Sequence, residues 1–261
     1  MTSTTQAFAP SVALVTGASR GLGRALAGAL AERGWHLLLD ARDPDRLAAA
    51  AAELATTTRV TAIPGDVADP AHRRALTAAV EQAGRLDLLV NNASELGPSP
   101  LLPLTEHPLD ALEKLYAVNT FAPLALVQLL LAPLRRSNGQ VLNVSSDAAV
   151  EPYAGWGGYG SSKAALDQLG AVLGAELPDL RVYAVDPGDM NTAMHQAAYP
   201  GEDISDRPGP QTVVPALLAL IDGELPSGRY RAEDLTAPLA VMNPAAQPAA
   251  ESPSAQMAVA R

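Results

Sequence analysis

The sequence contains no cysteine. That excludes disulfides, thiolate zinc sites, cysteine-ligated iron–sulfur clusters and a cysteine nucleophile, and it fits a reducing compartment. Aromatic residues are scarce, at 4%, although apolar residues of all kinds reach 48%. The interior must therefore be built from Ala, Leu and Val, which suits Ala- and Leu-rich helices packed on Val-rich strands. Histidine is rare too. His36, His72, His107 and His195 lie far apart at no metal-ligand spacing, so no metal site is expected. Cations are outnumbered by anions, with a net charge of -10, which argues against a nucleic-acid footprint. No run of about 18 uncharged apolar residues predicts a membrane span. Met1 to Pro10 shows no basic residue followed by an apolar stretch, so a cytoplasmic location is expected.

Strand and helix patterns are present in strict alternation. Buried strands are predicted at Val12–Thr16, Trp35–Asp40, Val60–Pro64, Leu86–Asn91, Gln140–Ser145 and Arg181–Asp186. Between and after them, helices are predicted at Leu22–Arg33, Pro44–Leu54, Pro70–Ala83, Thr105–Leu134, Tyr159–Leu177 and Thr212–Ile221. This rhythm predicts an α/β fold, a Rossmann-type doubly wound parallel sheet with helices on both faces. A single domain over 11–235 is expected, flanked by a flexible start (1–10) and an Ala-, Pro- and Ser-rich tail (236–261) read as disordered. Residues 191–211, rich in Pro and Gly, read as an excursion that closes over the substrate.

Between the first strand and first helix lies Thr16-Gly-Ala-Ser-Arg-Gly-Leu-Gly23. Glycines at 17, 21 and 23 permit a tight turn and a close backbone approach to a pyrophosphate, at which the following helix aims its amides and positive dipole end. Further along come Asn91-Asn92-Ala93, Ser146, and Tyr159-Gly-Ser-Ser-Lys163. Tyr159 and Lys163 are four residues apart and share one helix face. Together, in this order and at these separations, the motifs resemble the short-chain dehydrogenase/reductase family in its compact branch, over roughly residues 11–231.

The resemblance implies an oxidoreductase that moves hydride between a nicotinamide cofactor and a ketone, an aldehyde or the corresponding alcohol. The implied catalytic set is Asn119, Ser146, Tyr159 and Lys163. Ser146 lies thirteen residues before Tyr159 and would donate to the substrate oxygen, with Ser145 as the alternative. An unperturbed tyrosine, of pKa about 10, is only about 0.1% ionised at pH 7. A neighbouring ammonium and the oxidised nicotinamide are expected to lower that value, so that Tyr159 exchanges a proton with substrate. Pro123 has no N–H to bond the carbonyl of Asn119, so a kink is expected there, with that carbonyl free to hold a water linked to Lys163.

For the cofactor, the implied contacts are Gly17, Ser19, Arg20, Gly21, Leu22 and Gly23 in the turn, then Arg42, Asp66, Val67, Asn92 and Ala93, and Tyr159, Lys163, Pro187, Gly188 and Thr192 at the nicotinamide end. In the family, the NAD-selecting acid corresponds to Ala41 here and the NADP-selecting base to Arg42. Arg20 and Arg42 therefore favour NADP(H), with NAD(H) as the alternative. Asp40 would oppose a 2′-phosphate if it faced the ribose, but strand alternation turns 40 and 41 to opposite sides. Asp66-Val67 also reads as a helix-initiating turn, and Asn91 as a sheet-stabilising amide.

Tyr153, Trp156, Met190 and Met194 are expected to line a mostly apolar substrate site. His195 reads as an exposed polar residue. The resemblance also implies a homodimer or homotetramer formed through helices 105–134 and 158–177. A catalytically silent nucleotide-sensing protein on the same fold is the alternative; such proteins commonly lose the tyrosine or lysine, and both are present here.

Overall fold

The structure is a computed structural model in which residues 10–235 are described. The expected tail at 236–261 and, apart from Pro10, the expected flexible start lie outside these residues. Seven strands form one sheet: β1 (Val12–Val15), β2 (His36–Ala41), β3 (Val60–Pro64), β4 (Leu88–Asn91), β5 (Gln140–Val144), β6 (Arg181–Asp186) and β7 (Gly228–Arg231). All pairings are parallel, in the order β3-β2-β1-β4-β5-β6-β7. The order reverses between β1 and β4, and a crevice opens at such a switch point beyond the carboxyl ends of the strands.

Strand alternation divides the core in two. Ala13 and Val15 of β1 join the cluster that holds Leu22, Leu26 and Leu30 of α1 (Gly21–Glu32). Val12 and Leu14 join the opposite cluster, with Leu76 and Val80 of α3 (Pro70–Ala83). A sheet apolar on both faces needs helices on both faces, and that is what its near-continuous Val and Leu strands recruit. The expected fold and single domain are found.

Sequence chemistry sets the helix boundaries. Asp43 and Asp69 cap α2 (Pro44–Leu54) and α3, each followed by proline in the first turn. The predicted long helix is a composite of α4 (Leu109–Tyr116), a π-turn at Ala117–Phe121, and α5 (Ala122–Arg136). The irregularity expected from Pro123 takes the form of that π-turn, a usual way to absorb a missing helical bond. Residues 105–108 lie outside the helix. By length and composition Leu109–Arg136 is apolar enough to cross a membrane, but half of its most apolar stretch is buried inside the fold.

The helix after β5, α6 (Gly157–Glu176), starts two residues before the predicted boundary. The excursion at 191–211 carries a short helix, α7 (Ala193–Ala198), that the sequence pattern did not show. The chain then forms α8 (Val214–Asp222), β7 and α9 (Ala232–Leu235). β7 was also missed: its Gly-Arg-Tyr-Arg sequence is polar and only partly buried, without the apolar run of a central strand.

Candidate active site

A cleft of about 580 Å³ runs along the carboxyl ends of the strands, with the glycine turn at one end and Tyr159 at the other. The turn is tied to the switch point through Thr16. Its Oγ1 donates to the carbonyl of Val90 (3.1 Å) and accepts from the backbone N–H of Asn92 and of Ala93 (both 3.0 Å). Asn92 Nδ2 donates in turn to the carbonyls of Thr16 (2.8 Å) and Gly17 (3.2 Å). Gly17 and Gly21 adopt φ of +65° and +58°, the left-handed region that the turn requires of glycine. Gly17, Ser19, Arg20, Gly21 and Leu22 line the cleft, as do Asn92 and Ala93. Gly23 does not. A Cβ there would collide with the Asn92 amide, so this glycine lets α1 pack against the β4 end. Asn91 makes the sheet contact, Nδ2 donating to Asn143 Oδ1 at 2.8 Å.

At the end of β2 Asp40 lines the cleft, but its carboxylate is buried and bonded to His72 Nε2 at 2.6 Å. Burial raises its pKa, against the pull of His72 and of the Gly17 amide. Arg42 lines the cleft and forms an ion pair with Glu95 from the loop after β4. Arg20 lines it too, with Asp66 and Val67 opposite. Asp66 Oδ1 accepts from the Ala68 N–H (2.8 Å), so it also serves as the turn residue before α3.

At the far end Ser146, Tyr159 and Lys163 converge on the cleft. A Cβ at position 160 would collide with the carbonyl oxygen of Ala148, so glycine there lets α6 seat Tyr159 beside the Ser146 turn. Ser146 Oγ donates to Asp147 Oδ1 (2.9 Å) and accepts from the Ala148 N–H (3.2 Å). Lys163 is buried, and its Nζ donates to the carbonyl of Val144 at 2.8 Å. Burial lowers its pKa to about 8, against the opposing pull of Asp167.

Tyr159 is buried at the edge of the cleft. Burial pushes its pKa up to about 12, and hydrogen bonds with Ser94 and Ser146 offset only part of this. Desolvation of the buried phenol, reinforced by the Asp147 and Asp186 carboxylates, outweighs those hydrogen bonds, and the Lys163 ammonium is bonded to Val144 instead.

Asn119 sits in the π-turn, fully buried and off the cleft lining. Its Oδ1 accepts from the Glu95 N–H (2.8 Å) and Ser94 Oγ (3.2 Å), and its Nδ2 donates to the Glu95 carbonyl (2.9 Å) and Ser162 Oγ (3.0 Å). It thus pins the loop after β4 to α6. Pro187, Gly188 and Thr192 line the cleft beyond β6.

Trp156, Met190 and Met194 line the open end with Leu96. Tyr153 does not; it is half-exposed and its hydroxyl donates to Asp147 Oδ2 (3.0 Å). His195, expected to be exposed, has a side chain only 10% exposed, because its ring packs on Tyr199 (5.1 Å between centroids). Sequence reasoning missed Arg229 on β7. Its Nε donates to Asp167 Oδ2 (3.0 Å), and one Nη donates to the Ser146 carbonyl (2.9 Å) and Asp186 Oδ2 (3.2 Å). No sequence signal pointed to it, since a lone arginine on a polar edge strand reads as solvated.

A crevice at the switch point of a doubly wound parallel sheet, leading to a buried tyrosine and lysine one helical turn apart, places the molecule among the Rossmann-type oxidoreductases. Residues 11–203 match the short chain dehydrogenase family, and the chain belongs to it. Over 196 residues it is 37% identical to the 3-oxoacyl-acyl-carrier-protein reductase of rhamnolipid biosynthesis from Pseudomonas aeruginosa, covering 70% of this chain and 74% of that protein. It is 36% identical over 201 residues to sepiapterin reductase of Mus musculus, covering 72% and 77%. A short-chain dehydrogenase from Escherichia coli complexed with NADPH superposes with a TM-score of 0.78 at 28% identity, covering 85% of this chain and 96% of that one.

Proposed function

We propose that this protein is an NADP(H)-dependent carbonyl reductase acting on uncharged, largely apolar ketones or aldehydes. The observation that carries the reading is the convergence of Ser146, Tyr159 and Lys163 in a cleft continuous with the glycine turn. In reduction the Tyr159 phenol is the general acid that protonates the forming alkoxide, and in the reverse direction its conjugate base takes the alcohol proton.

The residues of the cleft fit a dinucleotide. α1 has no side-chain cap, unlike α2 and α3, and no acid in its first turn, so its leading N–H groups are left to an anionic ligand. A Cβ at Gly21 would meet nothing closer than Thr192 Cγ2, at 3.9 Å, so the turn is open toward the cleft. Gly17, Ser19, Gly21 and Leu22 would hold the pyrophosphate, Arg20 and Arg42 the 2′-phosphate, and Pro187, Gly188 and Thr192 the nicotinamide end. The NADPH complex of the Escherichia coli relative supports the same choice. When bound, NADPH supplies the hydride.

The chain's own residues do the rest. The Ser146 hydroxyl orients the carbonyl oxygen, and Tyr159 Oη gives it a proton as the alcohol forms. Lys163, protonated at neutral pH with its pKa near 8, stabilises the phenolate that this leaves. Asn119 keeps Ser94 beside the tyrosine. Leu96, Trp156, Met190 and Met194 exclude water, with the 191–211 segment as the closing element. The arginines of the cleft lie at its cofactor end, while the acids Asp147 and Asp189 border the substrate, which disfavours anionic substrates. Exposed Phe121 on the π-turn, Leu129 on α5 and Val172 on α6 give this side of the fold an apolar surface through which we expect a homodimer or homotetramer to form.

NADPH consumption measured against a panel of uncharged ketones and aldehydes, alongside direct NADPH binding, tests the reading. Binding without turnover on any member would favour the nucleotide-sensing alternative.

A further inference from the structure

We infer that Glu95 competes with the 2′-phosphate of the cofactor for Arg42, and so sets how strongly this protein discriminates NADP(H) from NAD(H). The inference rests on the NADP(H) reading above and concerns a residue to which that reading gives no role.

The pairing joins two parts of the fold that only the cleft separates. Arg42 follows β2, Glu95 lies on the loop after β4, and both line the cleft where their side chains form an ion pair. The Glu95 backbone is held on both sides, its N–H donating to Asn119 Oδ1 (2.8 Å) and its carbonyl accepting from Asn119 Nδ2 (2.9 Å). Asn119 is itself fully buried. Glu95 therefore projects from a fixed point, and its carboxylate stands where an anion would meet the Arg42 guanidinium.

The other charges at this end make the competition matter. Three arginines line it: Arg20, Arg42 and Arg46. Arg46 is neutralised by Asp43 at 3.1 Å and Arg42 by Glu95, while Arg20 has no ion-pair partner among the described residues. A 2′-phosphate therefore meets one unengaged guanidinium and one shared with a carboxylate. To use the second, it must displace Glu95 and leave that negative charge nearby. The exchange is feasible because a partly exposed ion pair is weak and a phosphate is the more highly charged partner for a guanidinium. A ligand without the 2′-phosphate does not contest Arg42 and is indifferent to the pair.

The test is calorimetric binding of 2′,5′-ADP, 5′-AMP, NADPH and NADH to wild type, Glu95→Gln and Arg42→Ala, with the thermal midpoint of each variant as the folding control and Glu95→Ala as a second removal of the charge. Glu95→Gln should tighten 2′,5′-ADP and NADPH by about threefold to tenfold, the range expected of one partly exposed charge pair plus a lifted repulsion. It should leave 5′-AMP and NADH within about twofold, and Arg42→Ala should weaken 2′,5′-ADP. An unchanged or weaker affinity for 2′,5′-ADP in both Glu95 variants overturns the competition. Weaker NADH and NADPH alike would overturn it too, making Glu95 a ribose ligand. If Arg42→Ala binds 2′,5′-ADP as wild type does, the assignment of Arg42 to the 2′-phosphate is what fails.

Discussion

Lys163 Nζ donates its 2.8 Å hydrogen bond to the carbonyl oxygen of Val144, and the ring centroid of Tyr159 lies 5.6 Å from it. The ammonium is thus oriented by the end of β5, within electrostatic reach of the phenol but not bonded to it. Removing the phenol hydroxyl should remove the proton donor without disturbing this arrangement. Tyr159→Phe is expected to bind NADPH within about twofold of wild type and to lose about 10²- to 10⁴-fold in kcat, the range of general acid catalysis. Reduction of the best substrate at the wild-type rate would end the proposed chemistry.

Burial gives Lys163 a pH signature in stability. Its folded pKa of about 8 lies below its ordinary value of 10.5. Between those limits the unfolded chain holds a proton that the folded one does not, so this group makes the protein more stable as pH rises through the window. Below about pH 8 the cost of holding a buried ammonium is present in full. The whole difference corresponds to about 3 kcal/mol. Lys163→Met should lose the rise, so that wild type gains on the variant in urea unfolding between pH 8 and 10. Tyr159, with its folded value raised from 10.0 to about 12, acts with the opposite sign above pH 10 and stays out of that range. Parallel curves for the two proteins would contradict the shifted lysine.

The close approach of α6 to Ala148 depends on one missing methyl group. Gly160→Ala would drive a Cβ into the Ala148 carbonyl oxygen, a backbone atom with no rotamer to yield. We expect a loss of about 1–3 kcal/mol, as in other overpacked sites. Because the displaced helix carries Tyr159 away from Ser146, kcat should fall together with the thermal midpoint. Full activity at an unchanged midpoint would show that the helix can move without cost.

How much of this was legible in the chain depends on whether a residue's role is local or assembled. Tyr159 and Lys163 are legible because a helix turn fixes their relation, and Ser146 because its thirteen-residue separation from Tyr159 matches the family pattern. Strand alternation did not separate Asp40 from Ala41, since both line the cleft, and the His72 contact that occupies the Asp40 carboxylate joins residues 32 positions apart. Arg229 and Asp167, 62 positions apart, meet only because β7 pairs with β6, and a four-residue polar edge strand carries no apolar signature. The partnership of Arg42 with Glu95 was hidden for the same reason. Tyr153 was misplaced because a glycine-rich loop does not reveal which of its aromatics turns inward, and Trp156 is the one that does. The burial that pushes the Tyr159 phenol up is a property of the packed fold and is not carried by the Tyr-x-x-x-Lys spacing.

Arg229 yields the prediction most particular to this molecule. Its guanidinium, 26% exposed, binds Asp167, whose side chain is 13% exposed and also accepts from Ser145 Oγ at 2.7 Å. Burial raises the pKa of Asp167, and Ser145 and Arg229 pull it back. Arg229→Met takes the cation from Asp167 and from the still less exposed Asp186, leaving Asp167 with the Ser145 hydroxyl and the field of Lys163. The expected cost is about 2–3 kcal/mol, below the range for fully buried pairs because the arginine is partly in water. Adding Asp167→Asn removes one of those stranded charges, so the double variant should be more stable than Arg229→Met alone. Because the same guanidinium holds the Ser146 carbonyl and Asp186, the double variant should still reduce substrate more slowly than wild type despite its recovered stability. A double variant no more stable than the single one would mean that β7, rather than the charge balance at Asp167, is what the arginine supports.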